Sequence, residues 1–120
     1  NNEYGITLVS LNESFRKEFE PNSATFKDRI KSLKHLHDEG FKTWVSMEPY
    51  PTPNLIKQDL TEILEAVSFV DKIIFGRLNY SVKSSEFKYT KEFYNSSAEI
   101  VIRSCKKNRI AYHIKEGTQR

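Results

Sequence analysis

The sequence predicts an α/β domain: a parallel sheet of about four strands with crossover helices, in a single domain over residues 1–120. Three observations carry this. Short β-branched runs alternate along the chain with apolar stripes of helical period. The strand-like runs start about 30 to 40 residues apart, the length of a βαβ unit. The resulting order, β-α-β-α-β-α-β, puts one helix between successive strands, and right-handed crossovers then make neighbouring strands parallel.

Each element has its own signal. Ile6-Thr7-Leu8-Val9-Ser10-Leu11 is short, apolar and β-branched, which reads as a strand buried on both faces. A polar connection containing Glu20-Pro21-Asn22 follows, and then Phe26, Ile30, Leu33 and Leu36 or His37 form one helical stripe. Ser23 or Thr25 can cap that helix, Asp28 lies in its first turn, and Gly40 can take the left-handed conformation that ends it. Phe41 to Met47 is the second strand. In Glu48-Pro49-Tyr50-Pro51-Thr52-Pro53, prolines at alternate positions remove ladder donors and helical freedom, so a rigid extended loop is expected. Ile56, Leu60, Ile63, Leu64 and Val67 mark the second helix, and Asp71 to Gly76 the third strand. Arg77-Leu78-Asn79-Tyr80 leaves its end, and Ser81 to Lys88 is a loop. Tyr94, Ser97 or Ala98, Val101, Ile102 and Cys105 stripe a helix that runs from about Thr90 to near Asn108. Ile110 to Ile114 is the fourth strand, before a polar tail.

Composition removes several classes of function. The 19 basic against 16 acidic side chains give a net charge of +3, and bases and acids are interspersed, which describes a solvated surface and supports a nucleic-acid partner only weakly. One cysteine excludes an internal disulfide and cannot alone hold a cluster or a structural zinc; this usage fits a reducing, cytoplasmic setting. No apolar run approaches the roughly 18 to 20 residues that cross a bilayer, so no membrane role is expected. A barrel of eight strand-helix units needs roughly 200 to 250 residues. Any barrel here is partial, and the missing initiator Met hints at a fragment.

In parallel α/β sheets ligands gather beyond the carboxyl ends of the strands. The first three ends offer Ser10, Asn12 and Glu13; Ser46, Glu48 and Tyr50; and Gly76, Arg77, Asn79 and Tyr80, which puts Ser10, Glu48 and Arg77 at a common mouth. Gly76 would let a planar ligand approach the backbone, and Arg77 could pair with a carboxylate or phosphate, or else form a rim salt bridge. Glu48 could present a carboxylate to a ligand or accept hydrogen bonds from a neighbouring loop or lysine. Glu20 and Glu48 together could be read as the carboxylate pair of a hydrolase, where their separation would decide the mechanism. His35 and His37, two apart on a helix, point to different faces, and no HExxH run is present. His113 reads as packed or solvated, and Cys105 as a small buried hydrophobe. No metal site follows from these residues, and the GxGxxG, Walker A and GxSxG sequences are absent.

Several fragments in order resemble the later half of radical S-adenosylmethionine proteins related to spore photoproduct lyase. They are Val9-Ser10-Leu11-Asn12-Glu13, Phe19-Glu20-Pro21-Asn22-Ser23-Ala24-Thr25, Asp28-Arg29-Ile30, His37-Asp38-Glu39-Gly40-Phe41 and Met47-Glu48-Pro49-Tyr50-Pro51-Thr52-Pro53. The match is best over residues 6 to 53 and runs more loosely to Asn79. The resemblance implies a TIM-like partial barrel of about six strand-helix units, of which this chain supplies the C-terminal ones. The parent would generate a 5′-deoxyadenosyl radical from S-adenosylmethionine at a 4Fe-4S cluster. The family's C-x3-C-x2-C loop has no counterpart in this sequence, so the chain alone is expected to be inactive and to bind neither cofactor stably. By the same resemblance Ser10 and Arg29 would contact the amino-acid portion of S-adenosylmethionine, Arg29 as a bidentate carboxylate partner; Glu48 would face the ligand, with Gly76 and Arg77 near its adenine or ribose. The implied partners are the N-terminal remainder of the parent chain and, through an exposed sheet edge, a second copy. The alternative is a non-catalytic α/β ligand-binding or interaction module.

Overall fold

The computed structural model describes residues 2–77 and 89–119. They form β1 (Glu3–Thr7), α1 (Glu13–Phe19), α2 (Phe26–Asp38), β2 (Lys42–Tyr50), α3 (Leu60–Ala66), β3 (Lys72–Arg77), α4 (Thr90–Asn108) and β4 (Ala111–Ile114). The four strands make one sheet in the order β1-β2-β3-β4, with every neighbouring pair parallel. The α/β class and the parallel sheet are as the sequence predicts. The expectations for Asn79, Tyr80 and the Ser81–Lys88 loop lie outside the described residues.

This strand order dictates the layers. Each crossover steps sideways in the same direction, and right-handed crossovers that keep stepping one way leave their helices on one face. Burial alternates accordingly: Thr43, Val45 and Met47 of β2 are buried, while Trp44, Ser46 and Glu48 are half-buried. On β3, Ile73 and Phe75 are buried and Ile74 is half-buried. Helix α2 packs on β1 and β2, and α4 packs on β3, β4 and α3. Phe26 and Leu33, Ile63 and Leu64, and Tyr94 and Val101 close over the buried strand residues as one core. No described helix covers the opposite face. In register across it stand Gly5, Trp44, Lys72 and Ala111, then Thr7, Ser46, Ile74 and His113.

Trp44 lies flat on β1. A Cβ at Gly5 would come within 2.1 Å of the indole Cδ2 and Cε2, so that residue must be glycine for the ring to rest on the strand. Gly5→Ala is expected to cost about 1–3 kcal/mol by overpacking. The chain has a single tryptophan, so its fluorescence reports the site: the emission should shift to the red as the urea midpoint falls. An unchanged midpoint and spectrum would refute this packing.

Several boundaries differ from the sequence expectation. The β1 ladder spans Glu3–Thr7 and not Ile6–Leu11, and its residues alternate between exposed and half-buried instead of being buried on both faces. β1 pairs only with β2, so it is an edge strand. The apolar run beyond it, Leu8 to Ser10, is where the chain enters the core, with the Leu8 N–H still donating to the Ser46 carbonyl at 2.9 Å. Helix α1 replaces an expected polar connection: Asn12 caps it by accepting the Phe15 N–H at 3.0 Å. It spans about two turns and buries only Phe15 and Arg16, too little for an apolar stripe to register.

Strand β2 continues to Tyr50, where a loop was expected from Glu48. Glu48 and Pro49, joined by a cis peptide bond, stand opposite Gly76 of β3, between the pairs Met47–Phe75 and Tyr50–Arg77. A bulge tolerates the missing proline N–H, and the extra residue shifts the side-chain phase so that Met47 and Tyr50 both point into the core. Helix α3 starts at Leu60 under an Asp59 cap, leaving Ile56 before it, and Ile110 precedes β4. Helix α2 has its Thr25 cap, accepting from the Asp28 N–H at 3.1 Å, and Gly40 follows its end at φ +97°. No described helix is long and apolar enough to cross a membrane.

Cys105 is fully buried on α4, and burial pushes its thiol up to about 11. The unfolded chain releases this proton near the ordinary value of 9.0 and the folded chain holds it to about 11. This contribution to stability is therefore complete below pH 9 and is lost as pH rises from 9 to 11. Urea midpoints should fall more steeply across that interval than in Cys105→Ala, and at pH 8 a thiol reagent should react only with unfolded protein.

Candidate functional site

The carboxyl ends of the strands gather polar groups in distinct places. The first is the connection from β1 through α1 to α2. Arg29, in the first turn of α2, donates from Nη1 to the Thr7 carbonyl at 2.9 Å, from Nε to the Ala24 carbonyl at 3.1 Å, and from Nη2 to Glu20 Oε1 at 3.0 Å. Its guanidinium stands 5.0 Å over the Phe26 ring. Buried Arg16 donates from Nη1 to the Ser23 carbonyl at 2.8 Å and from Nε to Glu13, whose other carboxylate oxygen accepts the Phe26 N–H at 2.8 Å. The hydrogen bond from Arg16 holds the Glu13 carboxyl below the usual range. All three nitrogens of Arg29 are thus occupied by the chain itself, and Glu20 is the partner of Arg29.

The second place is a groove of about 290 Å³ between the loops after β1 and β2, lined by Ser10, Asn12, Gln58, Asp59 and Glu62 among others. Ser10 is fully buried, and its Oγ accepts the Asn12 N–H at 3.0 Å. Gln58 donates from Nε2 to the Val9 carbonyl at 2.9 Å, while its Oε1 is buried with no hydrogen-bond partner among the described residues.

The third place is on the uncovered sheet face. Glu48 lies over Gly76: a Cβ there would come within 2.6 Å of Glu48 Oε2 and 2.9 Å of its Cδ and Cγ. The room that Gly76 leaves is therefore filled by this carboxylate. Lys115, just past β4, brings its Nζ to 3.7 Å from Glu48 Oε1. Arg77 turns the other way, with its guanidinium 5.2 Å over the Tyr94 ring on the helical side and its Nε buried without a partner among the described residues. Its backbone N–H meets Thr118 Oγ1 at 3.4 Å.

Of the residues singled out in the sequence, the structure brings Glu48 and Gly76 into contact. Ser10, Arg29 and Arg77 share their end of the sheet but occupy separate places, so the expected common mouth is divided. Lys115 and Gln58 are additions. Lys115 follows the fourth strand as Arg77 ends the third, and the rule that directs attention to strand ends applies to it equally. Gln58 carries no signal in the sequence. Among the described residues no group of three or more His, Cys, Asp or Glu side chains is placed to hold a metal ion.

No protein-family model matches the chain, and no solved structure matches it. It is similar to an uncharacterized protein of Methanocaldococcus jannaschii, 34% identical over 101 residues. The aligned stretch is 82% of this chain and 38% of that protein, so the chain spans well under half the length of the curated relative it matches.

Proposed function

We propose that the chain is the C-terminal part of a radical S-adenosylmethionine barrel and contributes the non-cluster half of the site for that cofactor and its substrate. The observation that carries this reading is the uncovered sheet face. Four parallel strands in sequential order with the described helices on one side are compatible with one arc of a TIM-like barrel, in which the free face would become the interior. That face carries Thr7, Ser46 and His113 in one row, and Glu48, Gly76 and Lys115 meet across its carboxyl end. The longer relative has room for further strand-helix units.

In this reading the Ser10 groove borders the ligand. Glu48 faces the ligand from β2, and Arg29 holds the rim together. An iron–sulfur cluster does not fit the residues of this chain: the single thiol, Cys105, is fully buried and held protonated by its surroundings. In this reading the cluster ligands belong to the N-terminal remainder of the parent.

The test is anaerobic reconstitution of the full-length polypeptide with iron and sulfide, titration with S-adenosylmethionine, and assay for 5′-deoxyadenosine. Cluster formation and cleavage are expected. A polypeptide without the cysteine triplet, with no cleavage, would leave the chain as an α/β binding module. The 120-residue chain by itself should self-associate through the β1 edge and the free sheet face, raising its mass by light scattering as concentration increases. A constant monomer mass would count against the partial barrel.

A further inference from the structure

We propose that the groove between α3 and α4, on the outer side of the helix layer, docks an amphipathic helix of a partner protein that carries acidic side chains along one flank and basic side chains along the other. The inference is independent of the cofactor reading, because it concerns the side of the molecule opposite the free sheet face.

Both walls come from crossover helices between parallel strands, so α3 and α4 run the same way, and they pack on one another. The groove between them has a volume of about 370 Å³ and is lined by Thr61 and Glu65 of α3 and by Ile100, Arg103, Ser104 and Lys107 of α4, among others. Ile100 and Ser104 are half-buried, whereas Glu65, Arg103 and Lys107 are exposed. An apolar floor between charged walls suits a helix that lays its apolar face inward while its flanking charges choose partner and orientation.

The walls are opposite in sign and are not spent on each other. Asp59 caps α3, Glu62 and Glu65 follow, and no basic residue lies between this cap and the end of the helix. The end of α4 carries Arg103, Lys106, Lys107 and Arg109 within seven positions and no acid among them. These four charges exceed the net +3 of the whole chain, so its basic character is concentrated here. Capping does not consume them: the Ile110 N–H closes on the Cys105 carbonyl at 2.8 Å and the Arg109 N–H on the Lys106 carbonyl at 3.4 Å. Glu99, one turn before Arg103, accepts from Gln119 Nε2 at 3.3 Å, while Arg103 Nε meets the Glu99 backbone carbonyl at 3.5 Å. Among the described residues no ion pair joins Glu65 to Arg103 or Lys107 across the groove.

Opposed walls select the occupant. A nucleic-acid backbone carries one sign of charge, and would be drawn to Arg103 and Lys107 but repelled by Glu65. A helix with carboxylates facing α4 and ammonium groups facing α3 satisfies both walls, and its apolar side chain covers Ile100. Arg103 and Lys107 are one turn apart, so carboxylates one turn apart on the partner meet them in step.

The probe is a synthetic peptide of about 20 residues, roughly 30 Å of helix, with a leucine face, glutamates on one flank and lysines on the other. It should shift the Thr61, Ser104 and Lys107 amides of the 15N-labelled chain saturably, and less strongly as salt rises. Arg103→Glu combined with Lys107→Glu should weaken binding about tenfold or more, and a peptide with lysines on both flanks should bind the double variant better than it binds the wild-type chain. Unchanged emission of the single tryptophan, Trp44, shows that the double variant folds. No saturable shift at these amides, undiminished binding to the double variant, or no gain with the all-lysine peptide would overturn the proposal. A DNA duplex that shifts the same amides at lower concentration than the peptide would make the groove a polyanion site and refute the docked helix as well.

Discussion

Phe75→Ala is expected to destabilise the chain by about 3–5 kcal/mol, the range for emptying a buried aromatic position. Phe75 is fully buried on β3, an inner strand of the sheet, with its ring centroid 5.2 Å from that of Tyr50. Tyr50 in turn accepts a hydrogen bond at its carbonyl from the hydroxyl of buried Tyr94. The cavity would therefore open where β2, β3 and α4 meet, and rigid strand backbones on both sides prevent its collapse. Phe75 also precedes Gly76 and accepts the Lys115 N–H, so loosening it should disturb the Glu48–Lys115 pair. Urea unfolding followed by circular dichroism checks the magnitude, and a loss below about 1 kcal/mol would mean that the ring is not packed as described.

Arg29→Met is expected to cost about 2–3 kcal/mol, in keeping with loss of several hydrogen bonds from a charged donor. The Thr7 and Ala24 carbonyls would lose their partner and the end of β1 its tie to α2. Glu20, left behind, is partly exposed and can hydrate, so the cost resides mainly in the carbonyls and in packing on Phe26. Arg29→Lys keeps the charge but cannot span three acceptors, and should recover only part of the loss. If Arg29 served the ligand alone, both variants would unfold at the wild-type midpoint and fail only in binding. The expected result is the reverse order: stability falls first, and any loss of binding follows from the displaced rim.

The stripe Tyr94, Ala98, Val101 and Cys105 on α4 and the stripe Phe26 to Leu33 on α2 were legible because a long amphipathic helix repeats its signal over several turns. Helix α1 was not, because two turns with one aromatic and one arginine inward give no period to detect. At Arg29 the residue type was noticed, but its purpose depends on Thr7, twenty-two positions earlier, and on Glu20 across a loop. Arg77 and Gly76 are adjacent in the chain and for that very reason face opposite sides of the sheet. Lys115 gains meaning only from Glu48, a residue of a different strand, brought opposite by the bulge at Pro49.

By itself the sequence determined the class of fold, the parallel direction of the strands and which helix faces are buried, since these follow from local periodicity, capping and the handedness of crossovers. Only the tertiary structure decided that no described helix covers one sheet face, that Arg29 is consumed by its own chain, and that Glu48 finds Lys115 over a glycine. Those facts depend on strand order, register and one inserted residue. Each is a relation between distant segments that local patterns do not encode.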